Sequence, residues 1–254
     1  MLNGRGHAIA VVLARGGSKG LPRKNALPVA GRACIEWTLE HACAAESVHE
    51  VVLSTDDEEL MSIGHEWRDR GVVVVQRSAP LASDTATIDA AAREAIGQWA
   101  SKEAGRSADG RTIVILYGNV PVRPAGLIDR AVRMLIEQNA DSVQSYSPVG
   151  KHHPWWTARV SSESGEVRPW EGEVLNHGVF RRQDLPPAFV PDGGVLVVTY
   201  PALMLKMESV RSGPHAFFGR ADRRYGVINA EGDVVDIDTR ADLLVAEALL
   251  MERA

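Results

Sequence analysis

The stretch AIAVVLARGGSKGLPRKN (8–25) opens on seven apolar residues and closes on a loop with three glycines, four cations and no acid. The apolar run is unbroken rather than alternating. That pattern predicts a strand buried on both faces, the first of a parallel sheet. The loop leaves that strand at its carboxyl end, where ligands of open α/β sheets bind. Arg15, Lys19, Arg23 and Lys24 stand together on a chain of formal net charge −5. A cationic, Gly-rich loop on an acidic background suits a small polyanion rather than a long nucleic acid.

The rest of the chain repeats the theme. HEVVLSTD (49–56), VVVVQR (72–77), TIVILYG (112–118) and DSVQSYS (141–147) read as strands. Helical patterns fall between them, at 32–45, 57–71, 87–100 and 125–140, and 101–110 reads as a loop. Regular alternation of this kind predicts an α/β fold, a mainly parallel sheet with helices on both faces. The pattern breaks at 148–192, rich in Pro, Trp, His and charge, which reads as an inserted arm. Strand character resumes at 193–200, and an amphipathic helix closes the chain at 239–254. The expectation is one domain over residues 1–254, with an insertion at about 148–192.

With 254 residues and 45% hydrophobic content, the composition is that of a globular protein. The two cysteines, Cys34 and Cys43, share one apparent helix more than two turns apart, too far for a disulfide. They fit no zinc spacing either. No signal peptide or membrane-length apolar run is visible, so the expected location is cytoplasmic, with no membrane partner.

Glycine lets backbone N–H groups converge on phosphate oxygens, and Lys and Arg add charge. The loop matches neither the P-loop pattern nor the dinucleotide fingerprint. It closely resembles, instead, the nucleotide loop of the acylneuraminate cytidylyltransferases, the CMP-sialic acid synthetases. The resemblance recurs in order through VVLSTDDEEL (51–60), RSAPLASDTATIDA (77–90), KHHPWW (151–156), RRQDLPPAFVPDGG (181–194) and DIDTRADL (236–243). It implies a Rossmann-like nucleotidyltransferase fold. It also implies transfer of a cytidylyl group from CTP to a 2-keto sugar acid, with Mg²⁺ as cofactor, pyrophosphate as leaving group, and a homodimer formed through the arm.

On this resemblance Arg15, Lys24 and Asp238 are the catalytic candidates. Arg15, Gly17, Ser18, Lys19, Asn25, Arg77, Ser83, Asp84 and Tyr117 are the nucleotide-binding ones. Arg182, Gln183, Asp192 and His153 fall on the sugar side, and Asp236 and Asp238 are the metal candidates. If the DID segment is extended, both carboxylates share one side, as Mg²⁺ requires. Asp238 could equally cap the final helix, and spacing alone does not choose.

Departures from the family pattern concern specificity. LYGNVPVRP (116–124) stands where the family has LQPTSPLR, so Tyr117 replaces the Gln that reads cytosine. Asn119 sits where sugar-1-phosphate uridylyltransferases carry a metal-binding Asp. UTP, a different acceptor, or a non-catalytic nucleotide-sugar binder are therefore the alternatives. Asp192 replaces a family Asn and would suit an amine or a hydroxyl-rich acceptor. A general nucleic-acid binder is disfavoured by the acidic charge.

Overall fold

The computed structural model describes residues 7–18, 20–102, 106–211 and 213–252. The first half runs β1 (Ala8–Leu13), the hairpin β2 (Pro28–Val29) and β3 (Arg32–Ala33), α1 (Cys34–Ala44), β4 (Val48–Thr55), α2 (Glu58–Glu66), β5 (Val72–Gln76), α3 (Ile88–Ser101) and β6 (Thr112–Tyr117). The second runs α4 (Leu127–Glu137), β7 (Ser142–Pro148), the hairpin β8 (Ala158–Val160) and β9 (Val167–Pro169), β10 (Phe189–Thr199), α5 (Tyr200–Leu203), β11 (Arg224–Ile228) and α6 (Arg240–Glu252).

Seven strands form one sheet in the order β11-β7-β10-β6-β1-β4-β5. β1 lies at its heart, parallel to β4 and β6, and is buried along its whole length. Side chains alternate across a strand, so its unbroken apolar run serves two cores at once. Ala8, Ala10 and Val12 pack with Ile35 and Leu39 of α1, Leu60 of α2 and Leu135 of α4. Ile9, Val11 and Leu13 pack on the other face with Ala92, Ile96 and Trp99 of α3. Helices α2 and α3 start at side-chain caps, Asp57 accepting from Leu60 N and Thr87 from Ala90 N.

Two features differ from the sequence reading. β10 begins at Phe189 and runs antiparallel to both β6 and β7, with a register shift between Pro191 and Leu196. β11, parallel to β7, was not anticipated. It is an edge strand with one buried residue, Val227, so it carries no alternating apolar signal. The arm itself holds only the β8–β9 hairpin and single 3₁₀ turns. Pro148 pairs with Phe189 across β7 and β10, so the excursion leaves and re-enters the sheet at one point. No helix among the described residues is long and apolar enough to cross a membrane.

After β6 the chain turns through 118–124 around Arg123, which is 1% exposed. Its Nε donates to Gly194 O at 2.7 Å and its Nη2 to Tyr117 O at 3.1 Å. Its Nη1 donates to Thr38 Oγ1 at 3.0 Å and to Val120 O. Burial lowers this guanidinium to about 10, still charged at neutral pH. Truncating it strands several buried carbonyls. Arg123→Met is expected to cost about 3–5 kcal/mol in urea unfolding. Arg123→Lys should recover little, because an ammonium cannot span that fork.

Candidate active site

The carboxyl ends of β1 and β6, with the segment that follows β5, open on a cavity of about 240 Å³. Arg15, Lys24, Asn25, Arg77, Ser83, Asp84, Tyr117 and Asn119 line it, together with Leu13, Leu81 and Ile88. Three separate segments thus bring their candidates to one place. The opening loop is pinned from below: Asn25 is buried and its Nδ2 donates to Arg15 O at 2.8 Å, while Gly16 N donates to Asp56 Oδ1 at 2.9 Å. A Cβ at Gly20 would stand 2.7 Å from the main-chain oxygen of Asp238, so the loop can cross the late acidic segment only with glycine there. Gly17 is exposed with no atom near its would-be Cβ, and Ser18 is half-buried beside it. Lys19 lies outside the described residues.

Arg15 Nη1 sits 2.6 Å from Asp84 Oδ1, and Lys24 Nζ sits 2.5 Å from Asp238 Oδ1. Arg77 is buried, donating through Nε to Ser54 Oγ at 3.1 Å and through Nη2 to Ser54 O at 2.9 Å. Desolvation lowers its guanidinium from the usual value. Ser83 Oγ donates to Pro80 O at 2.8 Å, and Thr87, not Ser83, caps α3. Burial pushes the Tyr117 phenol up to about 12, so it stays protonated.

The DID segment is extended. Val235 N donates to Val122 O and Ile237 N to Asn119 O. Val235 and Ile237 enter the apolar cluster under α6, which leaves Asp236 and Asp238 on the opposite side. Asp238 does not cap α6. Asp242 accepts from Thr239 N at 2.7 Å and Thr239 Oγ1 accepts from Asp242 N at 3.3 Å, so a Thr–Asp box does that work. Asn119 Nδ2 donates to Asp236 Oδ1 and, at 3.1 Å, to Ile237 O. Burial, and next the charge of Asp238, push the Asp236 carboxyl up to about 6. Two mutually repelling carboxylates, one poorly solvated, fit a divalent cation that takes its remaining ligands from phosphate and water. Among the described residues no group of three or more His, Cys, Asp or Glu gathers to hold a metal, here or elsewhere, so the protein would supply only these two carboxylates.

The sequence model for cytidylyltransferases matches residues 9–160. The chain belongs to the cytidylyltransferase family. It is 29% identical over 238 residues to the N-acylneuraminate cytidylyltransferase of Streptococcus agalactiae, covering 93% of this chain and 51% of that protein. The chain therefore spans about half the length of that relative. It is 26% identical over 241 residues to pseudaminic acid cytidylyltransferase of Campylobacter jejuni, with 95% of each covered. Its fold matches that of a CMP:2-keto-3-deoxy-manno-octonic acid synthetase solved with CTP, at a TM-score of 0.65 and 16% identity, covering 97% of this chain and 99% of that one.

In this structure the sugar-side candidates are less open than the sequence suggests. Asp192 is not available to an acceptor's amine. Its Oδ1 accepts from Ser145 Oγ at 2.5 Å and Gly194 N at 2.9 Å, and its Oδ2 from Ser147 Oγ at 3.0 Å and Asn229 Nδ2 at 2.7 Å. Four donors saturate a carboxylate. His153 is 4% exposed, with Nδ1 accepting from Trp155 N at 3.2 Å and Nε2 3.0 Å from Pro186 O, so it serves the arm's own turn. Arg182 is exposed and pairs with Glu231 at 2.7 Å, and Gln183 is exposed next to it. Sequence reasoning missed Arg123 and Thr38, whose roles appear only once distant segments meet, and it noted Asn119 without foreseeing its hold on Asp236.

The raised Asp236 carboxyl carries a stability consequence. Ionising it costs folding free energy, growing as pH rises from the ordinary 3.8 to about 6 and constant above. Asp236→Asn removes that cost while retaining an oxygen for Asn119. Without metal, urea unfolding at pH 7.5 should show the variant more stable by about 1–3 kcal/mol, with the gap closing near pH 4.

Proposed function

We propose that this chain transfers the cytidylyl group of CTP to a 2-keto sugar acid of the sialic or pseudaminic type. The observation that carries the reading is that two residues lining the cavity with Arg15 reach the late acidic segment, Lys24 pairing with Asp238 and Asn119 donating to Asp236. The names and coverage of the relatives support the substrate pair.

In the reaction the anomeric hydroxyl oxygen of the acid bonds to the α-phosphorus and its proton is lost to solvent. The bond from the α-phosphorus to the bridging oxygen breaks, and pyrophosphate leaves with that electron pair. Little covalent chemistry falls to the protein, which positions the partners and stabilises charge. Lys24 and Arg15 neutralise the α-phosphate and the departing pyrophosphate. Asp236 and Asp238 would hold Mg²⁺, which supplies charge neutralisation on the triphosphate and polarises its oxygens. Asn119 fixes one oxygen of Asp236. Tyr117, held protonated, offers a ring face and a hydroxyl to the base. Arg182 and Gln183, both exposed, would be the contacts to the acid. Exposed Val160, Trp170 and Phe180 on the arm suit a homodimer formed there, and the location is cytoplasmic.

Pyrophosphate release should require CTP, Mg²⁺ and one member of a sialic- and pseudaminic-type acid panel. UTP tests the base assignment, since Tyr117 lacks the paired donor and acceptor of an amide. Release with UTP alone would move the assignment to a uridylyltransferase. CTP binding without release from any acid would leave a non-catalytic binder. Lys24→Met is expected to lower kcat by about 10²–10³ with folding intact. Asp238→Ala should raise the Mg²⁺ concentration needed for half-maximal rate.

A further inference from the structure

The donors that saturate Asp192 come from β7, from the residue after β11 and from β10 itself. Together they hold the bulge in which Gly193 has φ 75°. Gly194 is gripped at both ends, its N–H by Asp192 and its carbonyl by Arg123. Gly193, between Asp192 and Gly194, lies against Asp236: a Cβ there would stand 3.3 Å from Asp236 Oδ2. The other oxygen, Asp236 Oδ1, accepts from Asn119. Asp236 is thus bounded on one side by Asn119 and on the other by a bulge whose shape Asp192 fixes. The polarity of this network is set from outside it. Asn229 is 3% exposed, and its Oδ1 accepts from Arg130 Nη2 of α4 at 2.9 Å. Its amide nitrogen is therefore the end that faces Asp192, at 2.7 Å. Whichever way it is turned, an amide at position 192 would set N–H against N–H, toward Asn229 or toward Gly194.

We propose that Asp192 is a positioning residue for the carboxylate of Asp236, acting through the Gly193 bulge and touching neither metal nor substrate. The inference rests on reading Asp236 and Asp238 as the divalent-ion site. A carboxylate turned away from its partner loses affinity for the ion, and groups that orient metal ligands matter nearly as much as the ligands. Exchanging the chemistry of two positions separates this role from a direct contact. In Asp192→Asn/Asn229→Asp the carboxylate at 229 accepts from both Arg130 and the amide at 192, and Ser147 Oγ turns to accept as well. The hydrogen bonds are restored, but the charge has left position 192.

Wild type, Asp192→Asn, Asn229→Asp and the double variant are compared in two ways: by Mn²⁺ titration read from water-proton relaxation, and by pyrophosphate release with Mg²⁺. Asp192→Asn should bind Mn²⁺ on the order of tenfold more weakly and lose kcat by a similar factor. Its KM for the sugar acid should stay within about twofold of wild type. Asn229→Asp, which sets two carboxylates face to face, should be impaired at least as much. The double variant should return to within about threefold of wild type in both readouts. A raised KM for the acid in Asp192→Asn that the double variant fails to restore would assign Asp192 to the acceptor and overturn the proposal. Unchanged Mn²⁺ affinity in Asp192→Asn would overturn it equally. Should Asp192→Asn not fold, the double variant still decides, because a carboxylate needed at 192 itself would leave it impaired. Mn²⁺ affinity lost and recovered across the set, with no pyrophosphate released by wild type from any acid, would support the positioning role while sinking the proposed reaction. Wild type that takes up no Mn²⁺ would overturn the positioning role and leave the reaction to be judged by pyrophosphate release.

Discussion

The guanidinium of Arg123 is the constraint on which the site depends. A buried cation is costly unless its donors are met, and here they go to main-chain carbonyls and one hydroxyl. Each partner belongs to a different part of the site. Tyr117 O ends β6 in the nucleotide cavity, Val120 O lies in the turn that carries Asn119, and Gly194 O lies in β10. Thr38 joins from α1, its Oγ1 donating to Val120 O at 3.0 Å while accepting from Arg123. One side chain thereby sets where the turn after β6 meets the strand that returns from the arm.

That returning strand explains how nucleotide and sugar sides are registered. The shift between Pro191 and Leu196 leaves a bulge, with Gly193 at φ 75°. A Cβ there would lie 3.3 Å from Asp236 Oδ2 and 3.7 Å from the Tyr117 ring, so the bulge packs against the corner where Asp236 and Tyr117 meet. Asp192 holds the bulge from the other side through Gly194 N, and Arg123 holds it through Gly194 O. The saturated Asp192 carboxylate is a fixture that shapes this bulge, which accounts for its burial among Ser145, Ser147 and Asn229.

What could be read from the sequence follows the range of the interactions involved. β1 and its loop are local: an unbroken apolar run suits a strand covered on both faces, and glycines among cations suit an anion. The two readings of Asp238 could not be separated, because the deciding fact is that Thr239 and Asp242 satisfy the start of α6 without it. Asp192 and His153 misled for a related reason. A polar residue in a loop looks available until the donors from other strands are counted. β11 left no trace because an edge strand with one buried side chain has no periodicity. Arg123 was legible as a residue and silent as a role, since its partners span the chain from Thr38 to Gly194.

Charge pairing within the site also resolves how an acidic protein can present a polyanion site. Arg15 and Lys24 are paired with Asp84 and Asp238, while Arg77 donates to the uncharged Ser54, so two of the cavity's cations are already offset by carboxylates. Binding is then an exchange of counter-ions more than an attraction to bare positive charge. On the proposed function, a triphosphate arriving with a divalent ion would satisfy both sides at once, its phosphates pairing with the cations and the ion with Asp236 and Asp238. The same pairing makes net charge a poor guide to such sites, because the carboxylates that offset the cations are themselves part of the machinery.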